Sequence, residues 1–214
     1  MKKKQTLRVT VSTPKTDENY RGLLFVLSGP SGSGKTTLAR HVFKAPVFKH
    51  RLIKSVSFTT RPKRPVEVQG KDYFFIAPEK FQRYLREKRI LEWTRYLGYY
   101  YGTPRDLVER KLRQGKHMLM CLDLKGARRI KRLYPRNCVT IFIEPPSMEA
   151  LRQRLQRRDD NVKEEQIRKR LQLARTELLA AHRYHYRLVN ADLDRVLGKL
   201  KKIILSEINP GLRG

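Results

Sequence analysis

The chain has 214 residues, with 49 lysines and arginines against 20 aspartates and glutamates, a formal net charge of +29. That length suits one domain with inserted elements, and no apolar run reaches the roughly 18 residues that a membrane span needs. The two cysteines, Cys121 and Cys138, make neither a disulfide framework nor a metal set, which points to reduced thiols and a cytoplasmic setting.

Residues 1–20 are polar and basic and read as a flexible tail. Met1-Lys2-Lys3-Lys4 opens like the charged region of a signal peptide, but no apolar stretch follows, and Asp17 and Glu18 interrupt a transit-peptide pattern. An apolar run, Leu23 to Leu27, then predicts a strand, and Thr37 to Phe43 predicts a helix. Between them stands Gly29-Pro30-Ser31-Gly32-Ser33-Gly34-Lys35-Thr36, the G-x-x-x-x-G-K-T spacing of a phosphate-binding loop. Glycines let the backbone approach a phosphate chain, and the loop N–H groups and the helix N-terminus then face its oxygens. Lys35 supplies a point charge for the β- and γ-phosphates, and the Thr36 hydroxyl is placed for Mg²⁺. A plain strand-to-helix turn is the simpler account, but the eight motif positions and both flanking elements agree on a nucleoside triphosphate.

Residues 54–103 carry short β-like runs at 55–60, 72–76, 90–93 and 99–101, with a helix from about 78 to 88, and read as a small, mostly antiparallel insert. The main rhythm resumes with a strand at 117–122, a helix at 125–134 and a strand at 138–143, then a helix N-capped by Ser147. A strand at 187–190 and a helix at 193–208 close the pattern. Near-continuous apolar strands alternating with helices predict an α/β fold, a parallel sheet covered on both faces, with ligands at the carboxyl ends of its strands. Cys121 and Cys138 fall in runs expected to be buried, Trp93 is expected in the core, and His182 and His185 on a helix-end surface. The stretch 152–170 is packed with arginine, including Arg152, Arg154, Arg157, Arg158, Arg168 and Arg170. A solvated face is the duller account of those arginines.

Inside the insert, Arg61 and Arg64 stand three apart, with Tyr73 nine further on, a plausible anion pocket. Glu92 then offers a carboxylate suited to the N1–H and N2 edge of guanine, which adenine does not match. The stretch Ser55 to Phe75, with Ser57, Thr59, Thr60, Arg61, Arg64, Glu67, Gly70, Tyr73 and Phe75 in place, resembles the guanylate kinase family pattern S-x-S-x-T-T-R-x-x-R-x-G-E-x-x-G-x-x-Y-x-F. Gly102-Thr103, Asp123 to Gly126, and Val189-Asn190 fall in the same register, so the resemblance spans residues 21–208.

The resemblance implies a P-loop kinase that moves the γ-phosphoryl group of ATP to GMP, and to dGMP, with Mg²⁺. It implies a core at 21–53, 104–151 and 171–208, a GMP-binding insert at 54–103, a lid at 152–170 and a C-terminal tail at 209–214. Residues 29–37, including Thr37, and Asn190 would hold ATP, with Asn190 near the adenine. Arg61, Arg64, Tyr73 and Tyr101 would hold the GMP phosphate, while Ser57, Glu92, Thr103 and Asp123 would complete the GMP site. Lys35, Arg154, Arg158 and Arg170 would neutralise the transferring group.

The chain departs from the family at three places. Cys121 stands for the first aspartate of L-D-I-D, Val66 for the glycine before Glu67, and Arg157-Arg158-Asp159 for the lid's Gly-Arg-Gly. Other readings are a non-catalytic module of the same fold and a kinase of a phosphorylated sugar. A monomer or homodimer is expected, and nucleic acid is expected to bind only non-specifically, through the net charge.

Overall fold

The computed structural model describes residues 20–96, 98–157 and 164–209. Five parallel strands form the main sheet: β1 (Leu24–Ser28), β2 (Leu52–Lys54), β7 (His117–Cys121), β8 (Cys138–Glu144) and β9 (Tyr186–Val189), in the order β2-β7-β1-β8-β9. The register pairs Val26 with Met120 on one side and with Thr140 on the other.

Successive residues of β1 feed opposite faces, as a strand covered on both sides requires. Phe25 and Leu27 pack with Leu38 and Val42 of α1 (Lys35–Lys44) and Leu200 and Ile204 of α7 (Leu193–Ile208). Leu24 and Val26 pack with Val108 and Leu112 of α3 (Arg105–Arg113) and Ala127 and Ile130 of α4 (Leu124–Leu133). The starts of α4, of the helix after Ser147 and of α7 are capped by short polar side chains. Gly126 N–H donates to Asp123 Oδ1 at 2.7 Å, Ala150 N–H to Ser147 Oγ at 3.0 Å, and Arg195 N–H to Asp192 Oδ1 at 2.7 Å.

A second, four-stranded sheet has the order β4-β3-β6-β5, built from β3 (Phe58–Thr59), β4 (Phe74–Phe75), β5 (Ile90–Tyr96) and β6 (Tyr99–Pro104). The β3–β4 pair is parallel and the other two pairs are antiparallel. α2 (Pro78–Arg86) stacks Phe81 on Tyr100 at 5.3 Å. α5 (Met148–Arg157) and α6 (Glu164–Leu179) pack through Leu151, Leu155 and Ala174.

Several expectations need correction. β3 and β4 are two residues long, not the six and five expected, because the surrounding chain bonds through turns and side chains. Trp93 is 49% exposed, since it lies on the sheet face that α2 covers only in part. Cys121, at the carboxyl end of β7, is exposed, whereas Cys138 is buried. His185 is half-buried, and its Nδ1 accepts from the Thr140 N–H at 3.1 Å. β2 and α3 were absent from the expected pattern.

Candidate active site

β1 ends at Ser28 and the chain turns through the glycine loop into α1. Gly29 has φ 135°, and a Cβ there would meet the Ile143 carbonyl at 2.2 Å. Gly34 has φ 97°, and a Cβ there would meet Asn190 Nδ2 at 2.2 Å. Both positions combine a left-handed backbone with close approach, which only glycine tolerates. Lys35 Nζ donates to the carbonyls of Gly29 at 2.5 Å and Pro30 at 2.8 Å, so the ammonium is folded over the loop. Ser31, Thr36 and Thr37 are exposed, and Ser33 is buried with its hydroxyl unpartnered among the described residues.

Asn190 follows β9 and is 6% exposed. Its Nδ2 donates to the Ser33 carbonyl at 2.8 Å. This bond braces the glycine loop, a role for Asn190 beyond the expected place near the adenine. Arg154 of α5 donates Nη2 to the Asn190 carbonyl at 2.9 Å, and its Nη1 is buried and unpartnered among the described residues. A buried cationic donor without a partner beside a glycine loop is suited to an anion. Arg170 of α6 instead donates to the Tyr96 hydroxyl at 3.1 Å, which ties α6 to the tip of β5 rather than to the loop. Arg158 lies outside the described residues.

The second sheet builds a separate polar pocket. Arg61 grips Glu67 with two N–H groups, at 2.9 and 2.7 Å, and lies 5.5 Å from the Tyr73 ring. Tyr73 and Tyr101 meet edge-on at 5.8 Å. The Arg61 hydrogen bonds hold the Glu67 carboxyl down at about 2 and raise the Arg61 pKa further. The Arg64 backbone N–H also donates to Glu67 at 2.9 Å, while its side chain is exposed. Glu67 therefore orients both ends of the Arg61–Arg64 segment. Glu67 already stands in the family pattern, but its part in presenting Arg61 shows only in these bonds. Val66 is 89% exposed and its φ is negative, so no glycine is needed there.

Glu92 on β5 is 8% exposed and accepts a short hydrogen bond from the Thr103 hydroxyl on β6. Burial pushes its pKa up to about 7, the Thr103 bond opposes that, and Asp123 adds to it. Asp123 spends one oxygen on capping α4, so the duller reading of it as a helix cap holds for that oxygen. Ser57 is half-buried beside β3, where its carbonyl accepts from Phe74 N–H at 2.9 Å.

Cys121 ends β7, where loss of solvent around its thiol pushes its pKa up to about 11 against the pull of Lys35 and Lys54, and its charge adds to the rise of the Tyr73 pKa. Glu177 of α6 was missed by the sequence reading. It is a buried carboxylate whose pKa burial raises and nearby Lys35 lowers. Its place on the apolar stripe with Ile167 and Ala174 was the available clue.

Among the described residues no three His, Cys, Asp or Glu side chains gather to hold a metal. No helix among them is long and apolar enough to cross a membrane.

The guanylate kinase family model matches residues 21–207. The chain is 43% identical to a guanylate kinase of Caldanaerobacter subterraneus subsp. tengcongensis over 188 residues, covering 87% of this chain and 88% of that one. It is 44% identical to a guanylate kinase of Synechocystis over 189 residues, covering 88% and 96%. The crystal structure of guanylate kinase from Anaplasma phagocytophilum superposes with a TM-score of 0.70 at 32% identity, over 92% of this chain and 89% of that one. With its five-stranded parallel sheet, glycine loop and small mixed sheet, the chain belongs to the guanylate kinase family.

Proposed function

We infer that the protein transfers the γ-phosphoryl group of ATP to GMP, yielding ADP and GDP. The observation that carries this is the presence of two different polar pockets, the glycine loop with Lys35 folded over it and the arginine–tyrosine pocket of Arg61, Tyr73 and Tyr101. One donor and one acceptor nucleotide, laid end to end, fit that arrangement.

The loop from Gly29 to Thr37 is proposed to hold the ATP phosphates through its N–H groups. Lys35 would exchange its two carbonyl acceptors for phosphate oxygens, and the unpartnered Arg154 Nη1 would take another. Arg170 is proposed to reach the same charge by leaving Tyr96, and Arg158 is assigned from the motif alone. Arg61, Arg64, Tyr73 and Tyr101 would hold the GMP phosphate, with Glu67 presenting Arg61. Glu92, held by Thr103, would accept from the guanine N1–H and N2 amine, with Ser57 and Asp123 completing the site.

A GMP phosphate oxygen forms a bond to the γ-phosphorus while the bond to the β–γ bridging oxygen breaks, and the electron pair leaves on ADP. A phosphate monoester is already a nucleophile near neutral pH, so positioning and charge neutralisation supply the rate. The fit to Mg²⁺ follows from the donor set. The described residues offer no cage of their own, and the exposed Thr36 hydroxyl suits a magnesium ion held chiefly by substrate phosphates. Such an ion supplies charge neutralisation across the phosphates when bound. Residues 54–103 as an acceptor-binding insert and 152–170 as a closing lid are part of the same proposal.

A coupled ADP-release assay with GMP, dGMP, AMP, CMP, UMP and ribose bisphosphate tests it. GMP is expected to be strongly preferred, with dGMP next. Equal turnover with AMP removes the role given to Glu92, preference for ribose bisphosphate makes it a sugar-phosphate kinase, and no turnover at all makes it a binding module.

A further inference from the structure

The proposed nucleotide sites use only a few of the chain's 49 lysines and arginines, and others line a second cavity. That cavity, of about 420 Å³, lies among the C-terminal end of α2, the start of β5, and the first turns of α3 and α4. Lys88, Arg105, Lys125 and Arg129 line it, Leu91 contributes an apolar wall, and Trp93, the chain's single tryptophan, stands half-exposed at it.

Three acids near the cavity are already committed. Glu87 pairs with Arg83 and Arg89, Asp106 with Arg89, and Glu109 with Arg105 and Arg113. Among the described residues no carboxylate pairs with Lys88, Lys125 or Arg129. Arg129 Nε donates to the Leu91 carbonyl at 3.1 Å, which pins its guanidinium to the wall. The one acid in the lining, Glu92, accepts from the Thr103 hydroxyl with Oε1.

We infer that this cavity is a binding site for single-stranded nucleic acid, in which Trp93 stacks on an unpaired base and Lys88, Lys125 and Arg129 hold the adjoining phosphates. An aromatic face flanked by unpaired cations is the chemistry that tracks an exposed base and its backbone without reading sequence. The volume suits one nucleotide, and exposed cations of the same three helices, including Arg86, Arg110 and Arg128, carry positive charge beyond it. Inorganic phosphate alone gives no use to Trp93, and a duplex keeps its bases stacked away from it.

The chain's own tryptophan is the reporter. Titrating the full chain with an octamer of uridylate is expected to quench Trp93 fluorescence, with affinity falling with salt at a log–log slope of about −2 for three phosphate contacts. Replacing Lys88→Glu and Lys125→Glu together should weaken binding at least tenfold and leave GMP phosphorylation unchanged. Trp93→Leu should weaken it about tenfold. Lys201→Glu with Lys202→Glu on α7, an equal change of charge elsewhere, should shift it less than twofold.

Equal weakening by the α7 pair overturns the inference, because the attraction is then diffuse. So does quenching of the unaltered chain by tripolyphosphate or UMP with the octamer's affinity, or displacement of the octamer by GMP, which would place it in the acceptor cleft.

Discussion

Glu92 gives the sharpest test of how this protein chooses its acceptor. Burial holds its pKa near 7, while accepting from both guanine donors requires the carboxylate. At pH 8 about nine-tenths of the free protein carries an ionised Glu92, and at pH 6 about one-tenth. The apparent affinity scales with the competent fraction, so KM for GMP should rise about tenfold between those values. GMP's own phosphate titrates in part of the same range, so the readout is the difference between the wild type and Glu92→Gln. The variant should keep only the phosphate's slope and lose most discrimination against AMP.

The stability of the free protein gives an independent check. Because the native pKa lies above the ordinary 4.5, the folded state holds its proton more tightly. The associated stability is complete below about pH 4.5 and is lost as pH rises to about 7, by roughly 3 kcal/mol. Urea unfolding of the wild type against Glu92→Gln across that window should show the loss in the wild type alone. Identical pH profiles of KM in both proteins would refute the assignment of Glu92 to guanine.

The phosphate loop gives two further tests. Lys35→Ala should abolish phosphoryl transfer while GMP binding, measured by calorimetry, stays close to wild type. Unchanged turnover would sink the proposed mechanism. Asn190→Ala removes the bond to the Ser33 carbonyl inside the protein and should cost about 1–3 kcal/mol of stability. It should raise KM for ATP more than KM for GMP, and the reverse order would return Asn190 to a role other than bracing the loop.

The sequence by itself determined the elements whose cause is local. Eight consecutive positions specify the glycine loop, because each residue type answers a demand made by a phosphate chain or by the turn that carries it. The apolar runs at β1, β7 and β8 read directly as buried strands, since a strand covered on both faces has no polar side to confuse the pattern. α3 was missed although Val108 and Leu112 stand one turn apart, because all its other residues but Leu107 are charged. β2 was missed because three residues at a sheet edge make no pattern.

What only the tertiary structure decided is where side chains spend their hydrogen bonds. Asn190 lies 157 positions from Ser33, and nothing local announces that it braces the loop. Glu92 loses its solvent beside Thr103 of the neighbouring strand, and Arg154 of α5 reaches the Asn190 carbonyl, through contacts between separate segments. Residue type settles which chemistry a side chain can offer. Burial and partners, which exist only once distant strands are brought together, settle whether it is charged, committed or free to bind.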